Sequence, residues 1–377
     1  MFPMITLTGD AQTRGREYGR QTAALVRHSI ASYARLFAYR RGVDWEQIQG
    51  ETQPYAAALA DFAPDLLAEM QGIAEGADVS TDSIIALNAR TELLASSDRS
   101  VDGPHRGYAA ALARNRANAV PEHGECTVVA ALPAATRSGA TLLAQTWDWN
   151  GDQRAACVLL RIQAPGRPAL LTLTEAGIVA KIGLNSAGVG VCLNILRSHA
   201  DGERPGVPIH VLLRAVLDTP SVAAAQELIS KVEAGASSCI TLADAEGHAV
   251  SLEITPNGVG VLPPQNGLLA HTNHCVSPNT RAGACPLDLK SGSVPRYDRA
   301  QALLGAQHGR IDVAALQTVL RDHEAAPLCI CRHPDSEQAP PERTESVTGV
   351  VMDLNAQVMY VAPGLPCQVA FTAVELQ

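Results

Sequence analysis

The stretch His123-Gly124-Glu125-Cys126-Thr127-Val128-Val129-Ala130 divides this chain into two characters. Before it, apolar residues recur at helical spacing. After it, they come in short β-branched runs separated by Gly, Pro or charge. The residues just ahead, Ala119-Val120-Pro121-Glu122-His123-Gly124, are turn-prone and polar. Cys126 therefore falls at a loop-to-strand junction, where a thiol is presented at a sheet end and can meet a substrate.

Upstream, residues 14–40 form a long amphipathic pattern, and 64–76 and 80–94 carry further helix-period apolar positions. Residues 96–104 break that pattern, and the segment from there to Glu125 reads as an exposed, turn-rich loop. Downstream, strands are expected over 127–132, 140–146, 157–163, 169–174 and 188–194. A helical pair follows at 207–217 and 221–232. Strands 238–243 and 249–254 then form a hairpin through Asp244-Ala245-Glu246-Gly247. Helices at 296–304 and 313–321 precede a closing hairpin, 347–354 with 358–362. Residues 1–125 thus form a mainly helical segment and 126–377 a β segment, together one folded unit. The order implies an α+β fold of antiparallel sheets covered by helices.

A chain of 377 residues and 39.6 kDa, with 46% hydrophobic and 18% charged residues, is long enough for a substantial core. The net charge of −9 argues against nucleic acid and anionic membranes as partners. No uninterrupted apolar stretch reaches the ~18 residues of a membrane span. The N-terminus lacks the basic start and apolar core of a secretion signal, and nine cysteines is an odd number. Reduced thiols in a cytoplasm are expected.

Polar residues interrupt apolar surroundings at Cys126, at Trp147-Asp148-Trp149, at His271-Thr272-Asn273-His274-Cys275 and at Cys329-Ile330-Cys331-Arg332-His333. The histidines and cysteines of the last two stretches are ligand types, but no Cys-x-x-Cys pair occurs, so neither metal nor other cofactor is expected. The other reading is a thiol nucleophile supported by Asp148, Asn273 and Arg332. Asn273 can donate an amide N–H to a tetrahedral oxyanion. Asp148 and Arg332 can pair, fix geometry and lower the thiol pKa. Trp147 and Trp149 are packing residues and candidate substrate contacts. No histidine is placed as the base. Cleavage of the Glu125–Cys126 bond would free an α-amine of pKa ~7.7–8 that could serve.

Several motifs in order carry a resemblance. They are Glu125-Cys126-Thr127, Gln145-Thr146-Trp147-Asp148-Trp149, Thr174-Glu175-Ala176-Gly177-Ile178 and Ile182-Gly183-Leu184-Asn185-Ser186-Ala187-Gly188-Val189, then Gly206-Val207-Pro208, His271-Thr272-Asn273-His274-Cys275 and Ile330-Cys331-Arg332. Together, over roughly residues 10–365, they resemble the acyl-CoA:6-aminopenicillanic acid acyltransferase (isopenicillin N acyltransferase) family of N-terminal nucleophile hydrolases. The resemblance implies a four-layer αββα sandwich of two antiparallel sheets and self-cleavage before Cys126. It makes Cys126 the nucleophile, lets Asp148 and Arg332 shape the site, and makes Asn273 an oxyanion donor. By likeness to the related choloylglycine hydrolases, Asn185 is a further substrate-binding residue. Three departures stand out. Glu125 replaces a glycine, Cys329 and Cys331 stand where a serine precedes the arginine, and Thr146 replaces an asparagine. They argue against penicillin acyl exchange as the native reaction.

The expected activity is therefore hydrolysis of a small N-acyl or peptide-like amide through a thioester. The alternatives are transfer of an acyl group, from an amide or acyl-CoA, to an amine acceptor, and an unprocessed, non-catalytic relative. A cleaved chain would be a heterodimer of its own fragments.

Overall fold

The computed structural model describes residues 1–96, 126–287 and 291–377. Glu125 and the loop expected ahead of it lie outside the described residues. Two sheets face each other. One has eight strands in the order β1 (Met4–Thr8), β4 (Cys157–Gln163), β5 (Leu170–Glu175), β6 (Ile182–Asn185), β7 (Gly190–Ile195), β8 (Ser238–Ala243), β9 (Ala249–Thr255) and β10 (Gly258–Leu262). The other has six: β11 (Leu268–His271), β2 (Thr127–Ala131), β3 (Leu142–Asn150), β12 (Thr344–Asp353), β13 (Val358–Ala362) and β14 (Thr372–Glu375).

One continuous core joins the N-terminal helices, the larger sheet and the inner face of the smaller one. A second core lies on the smaller sheet's outer face, under the helices Ser293–Ala306 and Val313–Val319. This is the four-layer αββα sandwich, and it explains the near-continuous apolar strands. β2, β5 and β8 are buried at every position.

The sheets are not wholly antiparallel. β1 pairs in parallel with β4 at the edge of the larger sheet. Helical reading of the N-terminus overlooked this strand, although Met4-Ile5-Thr6-Leu7-Thr8 alternates exposed and buried as an edge strand should. The helix Ala11–Arg41 follows, opened by Asp10 accepting from the Thr13 N–H and closed by Gly42 in the left-handed region. It crosses the helix Pro64–Ala77 on facing glycines so close that a Cβ on Gly19 would lie 2.2 Å from the Ile73 carbonyl oxygen. The helix expected over 80–94 breaks at Ala89 into Thr81–Asn88 and Arg90–Ala95. Asn88 sits at the break and donates to both Ile84 and Gly177 carbonyls. Among the described residues no helix is long and apolar enough to cross a membrane.

Strand register positions the site. Thr127 opposes Thr146, so Cys126, one residue before β2, lies alongside Trp147-Asp148. His271 opposes Val128, bringing Asn273, two residues past β11, to Cys126. Asp148 opposes Ser346 on β12, next to a register irregularity between Ser346 and Thr348.

Candidate active site

Cys126 is 3% exposed, and its main chain is held on both sides. Its N–H donates to Asn273 Oδ1 at 2.7 Å. Its carbonyl accepts from Arg296 Nη1 at 2.8 Å and from Asn194 Nδ2 at 2.9 Å. Arg296 also donates to Thr127 Oγ1 at 3.0 Å and to Asn273 Oδ1 at 3.2 Å. The Asn273 Nδ2 group donates to the Ile195 carbonyl at 3.0 Å. Two donors facing Oδ1 and an acceptor facing Nδ2 fix the orientation of this amide. Its oxygen addresses the Cys126 nitrogen, and only its second N–H remains to meet an oxyanion.

The loop carrying Asn273 is itself anchored. Its N–H donates to Ser293 Oγ at 2.8 Å. Glu253 accepts from the Val276 and Ser277 N–H groups and meets His271 Nε2 at 2.9 Å, while His271 Nδ1 lies 3.3 Å from Asn194 Oδ1. The interactions continue from Glu253 through His271 and Asn194 to the Cys126 carbonyl.

Burial pushes the Cys126 thiol up to about 11, and the Asp148 carboxylate adds to the rise; a hydrogen bond from the Asp148 N–H and the charges of Lys181 and Arg296 oppose it. The Asp148 carboxylate therefore raises the thiol pKa, contrary to expectation, and of this residue only the backbone N–H lowers it. The thiol is protonated at neutral pH, and attack requires a proton acceptor.

Asp148 is fully buried and accepts from Ser346 Oγ at 2.7 Å. The same hydroxyl accepts the Arg332 N–H at 2.9 Å, and the Ser346 N–H donates to the Arg332 carbonyl at 2.9 Å. Ser346 thus fastens Asp148 to the segment that carries Arg332, which is 5% exposed.

Trp147 and Trp149 each lie against a cation of a buried ion cluster. Lys181 Nζ lies 3.5 Å from the centre of the Trp147 ring, and the Arg90 guanidinium 5.1 Å from that of Trp149. Both cations pair with Glu175, which also accepts from Tyr33. Burial raises the Glu175 carboxyl, but Arg90 and Lys181 outweigh it and bring it down to about 2. Burial brings Lys181 down to about 8 against the attraction of Glu175. Trp149 also lines a cleft of about 280 Å³ with Ser32, Arg35, Asp152, Gln153 and Pro341.

Asn185 stands apart from this site. Its Nδ2 donates to the Leu217 and Thr219 carbonyls, and its Oδ1 accepts from the Ala187 and Val189 N–H groups. All four hydrogen-bonding positions are occupied within the fold, so it builds the β6–β7 turn instead of contacting substrate. Arg296, Asn194 and Ser346 escaped sequence reading. Each lies inside a regular element, and only strand and helix partners distant in sequence reveal its role. Of the metal-ligand candidates, His271, His274 and Cys275 stay with the Asn273 loop, whereas Cys331 and His333 meet His323 and Cys367 elsewhere.

The chain belongs to the acyl-coenzyme A:6-aminopenicillanic acid acyl-transferase family, whose model matches residues 135–365. It is 32% identical over 271 residues to the 40 kDa form of acyl-coenzyme A:6-aminopenicillanic-acid-acyltransferase of Emericella nidulans, covering 71% of this chain and 67% of that relative. Among solved structures it is similar to an N-acylethanolamine-hydrolyzing acid amidase ortholog of Caenorhabditis elegans, with a TM-score of 0.45 and 17% identity over 61% of this chain and 93% of that one. It is also similar to the penicillin V acylase of Agrobacterium tumefaciens, with a TM-score of 0.47 and 15% identity over 66% of this chain and 86% of that one. Both the family model and the Emericella nidulans relative are described as acyl-transferases.

Proposed function

We propose that Cys126 is the nucleophile of an amide hydrolase that first cuts its own chain before this residue. The observation that carries the reading is the grip on the Cys126 nitrogen by Asn273 Oδ1 at 2.7 Å. A free α-amine at that position donates one N–H to Asn273 and turns its lone pair towards its own thiol. It then accepts the thiol proton as sulfur attacks the substrate carbonyl. The second N–H of Asn273 supports the oxyanion. The ammonium returns its proton to the departing nitrogen, the C–N bond breaks, and a thioester remains. Water, deprotonated by the same amine, attacks the thioester and releases the acid and the thiol. An amine acceptor would enter through the same intermediate, so partition between water and added amines separates hydrolysis from transfer.

Self-cleavage uses the same sulfur, before the α-amine exists, and the thiol proton ends on the departing Cys126 nitrogen. The Cys126 sulfur attacks the Glu125 carbonyl, the peptide bond breaks to give a thioester and a free amine, and water removes the acyl segment.

Intact mass under denaturing conditions tests the reading. Cleavage divides the 39.6 kDa chain about a third of the way along its 377 residues, and Cys126→Ala abolishes it. A single uncut chain in both proteins leaves Cys126 without its base and overturns the proposal.

A further inference from the structure

Four side chains away from Cys126 bring ligand atoms to one point. One ligand atom each from His323, Cys331, His333 and Cys367 lies within 4.8 Å of all the others. His323 Nε2 and His333 Nε2 are 3.1 Å apart, and His333 Nε2 and Cys367 Sγ are 3.2 Å apart. A tetrahedral zinc with bonds of ~2.0–2.1 Å to nitrogen and ~2.3 Å to sulfur separates its ligands by about 3.3 Å (N to N) and about 3.6 Å (N to S). These two spans need only a few tenths of an ångström of opening, and the other ligand pairs lie within 4.8 Å. The two imidazoles converge from different directions, with ring planes inclined at 62°.

The chain holds this arrangement together independently of any ion. Cys331 and His333 flank Arg332, whose N–H and carbonyl both bond to Ser346. Cys331 and His333, two residues apart, both bring a ligand atom to the same cluster. The Cys331 N–H donates to the Asp322 carbonyl at 3.0 Å, placing His323 beside it. Arg321 Nε donates to the Pro366 carbonyl at 2.8 Å, bringing Cys367 to the same turn. Cys331 is buried while His323 is exposed, which leaves an entry path.

We propose that His323, Cys331, His333 and Cys367 form a tetrahedral site for a zinc-like divalent cation. Binding forms two metal–sulfur and two metal–nitrogen bonds and releases the two thiol protons to solvent. Two thiolates neutralise the dication, and no electron changes hands. A full protein ligand set leaves no open coordination position, so the ion is structural. It ties the C-terminal loop and the Asp322-His323 turn to the segment that carries Arg332, and through Ser346 to Asp148. It therefore positions the site without touching substrate.

The test uses the full chain purified with reductant and stripped with chelator. Titration with Co²⁺ is expected to give the visible bands of a tetrahedral ion and a thiolate-to-cobalt charge-transfer band. These should saturate at one ion per chain and be displaced by Zn²⁺. Cys367→Ser and His333→Gln should each lose the charge-transfer intensity or the stoichiometry while keeping the far-ultraviolet circular dichroism of the parent. Zinc should raise the melting temperature of the wild type by several degrees and leave Cys367→Ser unmoved. Absence of cobalt bands in the reduced wild type, or bands that persist unchanged in both variants, overturns the site. So does a Cys331–Cys367 disulfide in the protein purified without reductant, if that protein shows no metal uptake after reduction.

Discussion

Replacing Ser346 by alanine removes one hydroxyl that serves two partners. It donates to Asp148 at 2.7 Å and accepts the Arg332 N–H at 2.9 Å, and both Ser346 and Asp148 are fully buried. Alanine fits the same space, so no cavity of consequence forms. The loss comes from polar groups stripped of a partner where water does not reach. At about 1–3 kcal/mol for each of the two groups so affected, Ser346→Ala should destabilise the fold by roughly 2–6 kcal/mol. Denaturation in urea measures this directly, with an unchanged m-value showing that the unfolded state is not altered. Ser336→Ala on the exposed surface is the control and should stay within about 0.5 kcal/mol of the parent. Turnover of a chromogenic amide should fall further than the lost folded fraction explains, by about tenfold or more, because the Asp148 and Arg332 segments lose their common tie. A Ser346→Ala protein as stable as the Ser336→Ala control would refute the argument.

Other perturbations have signs set by the structure. Gly19→Ala should destabilise by about 1–3 kcal/mol in a thermal melt, because its new methyl meets backbone. Gly305→Ala, with open space around the same methyl in another helix, should stabilise by about 0.5–1 kcal/mol; like signs for the two would sink the packing argument. Burial lifts the Glu92 carboxyl to about 7 from 4.5, so the unfolded chain releases its proton first. The associated stability is full below the unfolded pKa and disappears as pH rises through 7. It amounts to about 3 kcal/mol, and Glu92→Gln should flatten that part of a stability–pH curve. For Arg296→Met, loss of a cation that touches both the Cys126 carbonyl and Asn273 favours the protonated amine. The ascending limb of kcat/KM against pH should then move up by about one unit, and an unmoved limb would show that the α-amine is not the titrating base.

Much of the layered fold was legible because strands buried on both faces are largely apolar, and Cys126 stands where a polar run meets one of them. Asp148 showed itself as a carboxylate within a tryptophan-rich buried strand. What sequence could not reveal depends on partners. Asn273 was recognisable as a site residue, yet the direction of its amide follows from Arg296 and the Ile195 carbonyl, which only tertiary pairing brings near. Ser346 acquires its importance from opposing Asp148 across β3 and β12. Asn185 is read as a binding residue only by likeness to the choloylglycine hydrolases, and in the structure the β6–β7 turn region takes up all its hydrogen bonds. His323 and Cys367 carry no spacing signal with Cys331 and His333, since the Arg321–Pro366 contact that unites them joins separate turns.

The first strand also has a consequence for the protein's history. β1 lies in the same sheet as β4, and Tyr33, on the helix that follows, reaches Glu175 inside the core. A chain severed before Cys126 would therefore keep both pieces interleaved, with β1 of the first paired into the sheet of the second. Refolding after denaturation would require two molecules to find each other where synthesis required one. The severed form should then survive by the height of its unfolding barrier, and its thermal inactivation should be one-way.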